Sequence, residues 1–301
     1  MHKSSPLGAA SSTLILRAEK KRLYSTQSPH DGDFFTMFMA GLRARVGERR
    51  KQDAAISIGV MIEIQRRLEP DWNQARERDD RVEMREVAEH AVYFLFCFCG
   101  ALRGFEGTKV PLHELRGKVA LDASCPGAAT DSLGRFMPHV GIPLIGAFKA
   151  RSVGNTELLI FVAAQTASGL RPGEWTKRLV DLLTTLGIFN GWLFQTADGV
   201  QQPMSHFEER FYDLLILISS DRDTAHLFAD GIDILVDYPL ARSFRRGATT
   251  RATNAGVKED DIDWLCRWNT GGEETGGAPL RVLYSDRTQL LETYLRFSLA
   301  L

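Results

Sequence analysis

From Val87 to Leu102 the sequence is apolar on nearly every side of a helix, and this run sets the terms for everything around it. A helix without a polar stripe cannot lie on a surface and has to be wrapped by other elements. Its longest apolar stretch, Ala91–Leu102, contains Gly100 and falls well short of the about 20 apolar residues that cross a bilayer. The run therefore predicts a buried central helix and no membrane span. With 301 residues, 44% of them hydrophobic and 25% charged, the chain can build one large domain or two modest ones around such a helix.

The flanking sequence supplies covering elements. Ile56, Val60, Ile64 and Leu68 recur every four residues, which predicts an amphipathic helix over Ala54–Leu68 ended by Pro70. Between Gly104 and Ala163 helical periodicity gives way to Gly, Pro and short apolar runs. Pro143–Lys149 and Glu157–Val162 are read there as two strands of a hairpin with a polar tip. Helical patterns return at Trp175–Leu186, Ser205–Ser219, Asp223–Val236, Ser243–Asn254, Lys258–Arg267 and Asp286–Phe297. Ser243 is placed to cap the fourth of these at its start, and Gly256 lies just past its end. Asn269–Pro279, with four glycines, reads as a mobile loop. The fold class expected is α+β, mainly α-helical, with a small antiparallel sheet.

Residues 1–30 are rich in Ser, Lys and Arg with a single acid, Glu19, and read as a disordered tail rather than a targeting segment. Phe34–Arg45 looks like a short helix and Val46–Asp53 like a charged linker. The four cysteines form no zinc-ligand pattern, which suits a reducing intracellular compartment and predicts no structural metal. Net charge is −1, so any contact with nucleic acid must come from local patches. Two exist. Arg43, Arg45, Arg49 and Arg50 form one with Lys51; Arg242, Arg245, Arg246 and Arg251 form the other. By itself each is also what a solvated helix face looks like.

Ser243-Phe244-Arg245-Arg246-Gly247-Ala248-Thr249-Thr250, then Asn254-Ala255-Gly256-Val257, then Leu265-Cys266-Arg267-Trp268, resembles the second conserved box of the tyrosine recombinases. Arg245 falls on the box arginine and Trp268 on the His/Trp position. Ala101-Leu102-Arg103-Gly104-Phe105-Glu106 is similar to the family's first arginine motif, Lys149 to its hairpin lysine, and Phe194–Gly199 to the turn before the second box. The likeness runs in order over residues 45–301. It implies a catalytic domain over residues 54–301, with residues 31–53 holding a remnant of the core-binding domain and the linker. The implied partner is double-stranded DNA, bound by a homo-oligomer without a cofactor, inside the cell and in the nucleus if the source is eukaryotic. Arg43, Arg45, Arg49, Arg50, Arg246 and Arg251 would add DNA contacts, Leu290–Leu301 would suit docking between protomers, and an origin in a transposable element fits.

The implied activity is cleavage and rejoining of DNA strands through a 3′-phosphotyrosyl intermediate. Attack on a phosphodiester builds charge on two non-bridging oxygens, and two guanidinium groups can each donate to both without losing a proton. Arg103 and Arg245 are the candidates, with Arg245 expected in the first turn of its helix, where an anion is favoured. A tyrosine hydroxyl, with an ordinary pKa of about 10, becomes a nucleophile when positive charge stabilises its phenolate. Tyr284, just after the glycine-rich loop, is favoured over Tyr294, whose mid-helix spacing suits the core. Lys149 would protonate the leaving 5′ oxygen, and Trp268 would donate a hydrogen bond to the phosphate. The family's histidine, three residues before the box arginine, is replaced by Arg242, and an arginine cannot act as a general base. His206 and His226 are expected as surface or satisfied residues. Two other readings stay open: a DNA-binding relic that no longer cleaves, and a helical interaction protein with no DNA role. Taken singly, Arg103 could cap a helix end, Lys149 could be a solvated hairpin lysine, and Trp268 could be core.

Overall fold

A computed structural model describes residues 53–145, 158–266 and 287–301. Contacts divide the chain between Gln52 and Asp53, and every described residue belongs to the second unit, Asp53–Leu301. Arg43, Arg45, Arg49 and Arg50, the helix expected over Phe34–Arg45, Lys149, Trp268 and Tyr284 all lie outside the described residues. The second unit is α+β and mainly helical, with a three-stranded antiparallel sheet.

Helix α1, Ile58–Glu77, starts at Ser57, whose hydroxyl accepts from Val60 N at 3.2 Å. It runs straight through Pro70, against the expectation that proline would end it. A mid-helix proline costs about 3 kcal/mol. Beyond it, Trp72 and Ala75 are buried, Trp72 meets Trp175 edge-on at 6.0 Å, and Asp71 pairs with Arg210. That packing outweighs the local penalty, as tertiary burial commonly does. Helix α2, Arg81–Cys99, is capped by Asp80 and is the predicted central helix: every residue from Val87 to Cys99 is buried.

Two short helices follow, α3 at Gly104–Gly107 and α4 at Leu112–Leu115. Strand β1, Val119–Ala120, pairs antiparallel with β2, His139–Leu144, which pairs antiparallel with β3, Leu158–Ala163. The register sets His139 opposite Ala163 and Leu144 opposite Leu158. The hairpin is thus present, with its first strand beginning four residues before Pro143. β2 is buried, and so are Ile160, Phe161, Val162 and Ala163 of β3, because α5 (Pro172–Thr185) covers both strands and α2 and the C-terminal helix cover β3.

Helix α6, Ser205–Ser220, follows a turn in which Gly199 takes φ +77°. The helix expected over Asp223–Val236 does not form. It is replaced by a 3-10 turn at Ala225–Leu227 and a short α7 at Ile234–Asp237. Gly231, at φ +72°, breaks the helical path, and Asp233 restarts it by accepting from the amides of Leu235 and Val236.

Helix α8 spans Leu240–Asn254, α9 Glu259–Leu265 and α10 Arg287–Ala300. Gly256 follows α8 at φ +78°, the left-handed position past a helix end that glycine fills most easily. In α10, Leu291, Leu295 and Phe297 are buried, Tyr294 packs edge-on to Phe161 at 6.2 Å, and Ser298 Oγ accepts from Ala163 N at 2.8 Å. The final helix therefore uses its apolar face to cover β3 of its own chain. An aromatic cluster joins α2, α6 and α8: Tyr93 stacks on Phe207 at 3.9 Å, and Phe94 stacks on Phe244 at 5.6 Å. This cluster holds the end of α2 against α8, where the candidate site lies.

Among the described residues, no helix is long and apolar enough to cross a membrane, and no group of three His, Cys, Asp or Glu side chains is placed to hold a metal ion.

Candidate functional site

The chain leaves α2 through Ala101, which takes the left-handed conformation at φ +47°. Such a turn is costly for a residue with a side chain, and it is paid where the surroundings require it. Here it directs the Ala101 carbonyl to accept from Arg245 Nε at 2.6 Å. Arg103 comes next, extended at φ −75° and ψ 150°, as the residue before α3. Gly104 opens α3 against α8. A Cβ there would press on Met204 Sδ, the Tyr93 hydroxyl and Ala241 Cα, and Tyr93 donates to the Gly104 carbonyl at 2.9 Å.

Glu106, three residues after Arg103, is wholly buried and binds both arginines. Its Oε2 accepts from Arg103 N at 2.8 Å and from Arg245 Nη2 at 2.6 Å, while Oε1 lies 3.6 Å from Arg103 Nη1. Arg245 Nη1 also reaches the Cys266 carbonyl at 3.4 Å. The two predicted arginines, far apart in sequence, thus converge on one carboxylate from the end of α2 and the middle of α8. Two guanidinium groups and one carboxylate carry one net positive charge. Arg245 is 5% exposed, whereas the Arg103 side chain keeps 27% of its surface, so Arg103 is the one that reaches solvent.

The position of Arg245 in its helix differs from expectation. Pro239, its φ fixed near that of a helix entrance, precedes α8, so the helix begins at Leu240 and not after Ser243. Ser243 is buried within it and caps nothing; its carbonyl accepts from Ile56 N at 3.1 Å. Arg245 is consequently the sixth helical residue, beyond reach of the helix-end field, and Arg242 occupies the first turn instead.

Compared with known proteins, the chain matches no family model and no curated protein.

Arg242 pairs with a different carboxylate, that of Asp53. Its Nε lies 2.9 Å from Asp53 Oδ2 and its Nη2 3.3 Å from Asp53 Oδ1, while Arg246, one turn on, donates to the Asp53 carbonyl at 2.6 Å. Arg251 is half-buried further along α8. Of the predicted residues, the structure brings together Arg103 with Arg245, and Arg242 with Arg246. Sequence reasoning named neither carboxylate as a site residue. Glu106 was legible as the Arg-x-x-Glu spacing that closes a helical turn; Asp53 had no signal, because its partners lie on the far side of the sequence.

His226 is exposed, as expected; His206 departs from expectation, half-buried with an Nε2 that makes no hydrogen bond and lies 3.9 Å from Glu89 Oε2. Glu89 is buried on α2, paired with Arg85 at 2.8 Å and close to His90. Burial pushes its carboxyl up to about 7 from 4.5, against the pull of Arg85. Burial also lowers both His90 and His206 below 6.5. A carboxyl raised on folding contributes stability that is complete below 4.5 and is lost as pH rises through about 7; the lowered histidines contribute above 6.5 and lose it in acid. A shift of the Glu89 size is worth about 3 kcal/mol. Urea unfolding at pH 5 and pH 8 should show the protein losing stability relative to Glu89→Gln over that interval. Parallel pH profiles for the two proteins would contradict this.

Proposed function

We propose that this protein breaks and rejoins DNA strands in the manner of the tyrosine recombinases, with Arg103 and Arg245 as the phosphate clamp. The observation that carries the reading is the convergence of these two arginines on the buried Glu106. A guanidinium held on three sides, as Arg245 is, presents a fixed positive charge rather than a wandering one, and fixed charge is what transition-state stabilisation requires. The mainly helical unit with its antiparallel sheet set between the two arginine elements also agrees with what the sequence resemblance implies.

In this reading the phenol oxygen of Tyr284 attacks phosphorus and gives up its proton to solvent. The bond from phosphorus to the 5′ oxygen breaks, Lys149 protonates that oxygen, and Trp268 hydrogen-bonds the phosphate. A 5′ hydroxyl then reverses the step and releases the tyrosine. Arg242 adds charge but accepts no proton. Double-stranded DNA is the partner, and a homo-oligomer would act on it.

Incubation with a nicked duplex that cannot religate should trap protein on DNA through denaturing electrophoresis. Tyr284→Phe should abolish the adduct, and Tyr294→Phe, which keeps the buried ring, should retain it. The opposite pattern would overturn the assignment of the nucleophile. A second reading is favoured by the Asp53 ion pair, which occupies Arg242 at the family's histidine position: a protein that binds DNA through the arginines without cleaving it. Salt-dependent binding with no adduct in any variant would select that reading.

A further inference from the structure

The stretch from Asp53 to Ser57 is pinned against α7 and α8. Ala54 N donates to the Asp237 carbonyl at 2.6 Å, and Ile56 N to the Ser243 carbonyl at 3.1 Å. Gly247 makes this approach feasible, because a Cβ there would overlap the Ile56 carbonyl oxygen. Thus fixed, Asp53 turns both carboxylate oxygens to Nε and Nη2 of Arg242, at 2.9 and 3.3 Å, while its carbonyl takes Arg246 Nη1 at 2.6 Å. Two oxygens on one guanidinium edge is the fork geometry by which arginine also takes two oxygens of a phosphate.

We propose that Asp53 is an internal competitor for DNA phosphate, holding the Arg242 fork that a backbone phosphodiester would otherwise occupy. The inference rests on the reading of this protein as a DNA-binding one and adds a control on how much of its basic cluster is available. The contrast with the other carboxylate marks the difference in role. Glu106 is wholly buried and stays with its arginines, so its pairs hold the clamp in place. Arg242 keeps 64% of its side chain exposed, and exposed ion pairs contribute little net stability, so this one exchanges readily for another anion. Asp53 itself is only 17% exposed and cannot follow the arginine outward, so binding of a phosphate separates the two.

The test is fluorescence anisotropy of the full chain with a short labelled duplex across about 50–200 mM salt, where each phosphate contact contributes about 0.9 to the logarithmic slope. Asp53→Asn should steepen the slope by about one and tighten low-salt binding several-fold. Arg242→Gln should weaken binding far more in the Asp53→Asn protein than on its own. If the wild type binds and Asp53→Asn leaves slope and affinity unchanged, or if the two substitutions are additive, the competitor role is overturned while the DNA reading stands. If no variant binds the duplex, both fall. Equal thermal midpoints for wild type and Asp53→Asn establish that a change in slope comes from the freed guanidinium and not from loss of the fold.

Discussion

Replacing Arg245 with alanine will destabilise this protein by about 3–5 kcal/mol, because it strips a buried carboxylate of its closest guanidinium. Glu106 has no exposed surface, and its Oε2 takes Arg245 Nη2 at 2.6 Å. Removing the guanidinium also takes away the hydrogen bonds to the carbonyls of Ala101 and Cys266, which tie the end of α2 and the end of α9 to α8. The substitution therefore acts on three joints at once. Thermal or urea unfolding measures the loss. Arg245→Ala combined with Glu106→Ala should cost less than the two single changes added together, since the second removes the charge that the first stranded. Strict additivity would mean that the pair does not interact as the geometry requires.

This expectation also explains which parts of the fold could be read from sequence. The central helix was legible because a segment apolar all round has only one place to go, and α5 and α6 were legible because each carries an amphipathic pattern between clear breaks. The errors share a cause. Pro70 is a local stop signal, overridden by Trp72 and Ala75 burying themselves beyond it. Ser243 is a good capping residue by type, but the helix starts earlier, at a proline whose ring already has the required φ. Over Asp223–Val236 the periodicity continued through Gly231, where the backbone turns into a conformation that the pattern does not encode.

The candidate site divides in the same way. The residue types and their order were readable, so Arg103 and Arg245 could be named as a pair before any coordinates. Glu106 was readable beside Arg103 through the Arg-x-x-Glu spacing, but its pairing with Arg245 was not, because a contact between distant parts of the chain is a property of packing and leaves no periodic trace. The shift of Arg245 from the first helical turn to the sixth residue removes the helix-end field from its account. Hydrogen bonds from two carbonyls and a carboxylate take over the task of fixing its charge. Arg242 inherits the first turn and, with it, the ion pair to Asp53.

The second large effect concerns Arg103, and it separates chemistry from folding. Unlike Arg245, its guanidinium is partly exposed, and its link to Glu106 runs chiefly through the backbone amide, which any residue retains. Removing its side chain should leave the unfolding midpoint close to that of the wild type. Loss of one fixed donor to a developing phosphate charge slows catalysis by roughly 10²–10³-fold. The rate of covalent adduct formation on a nicked duplex, measured for wild type and Arg103→Ala at equal unfolding midpoints, tests the clamp most directly. A fall of that order is the result the two-arginine account predicts. An Arg103→Ala protein that forms the adduct at the wild-type rate would contradict it.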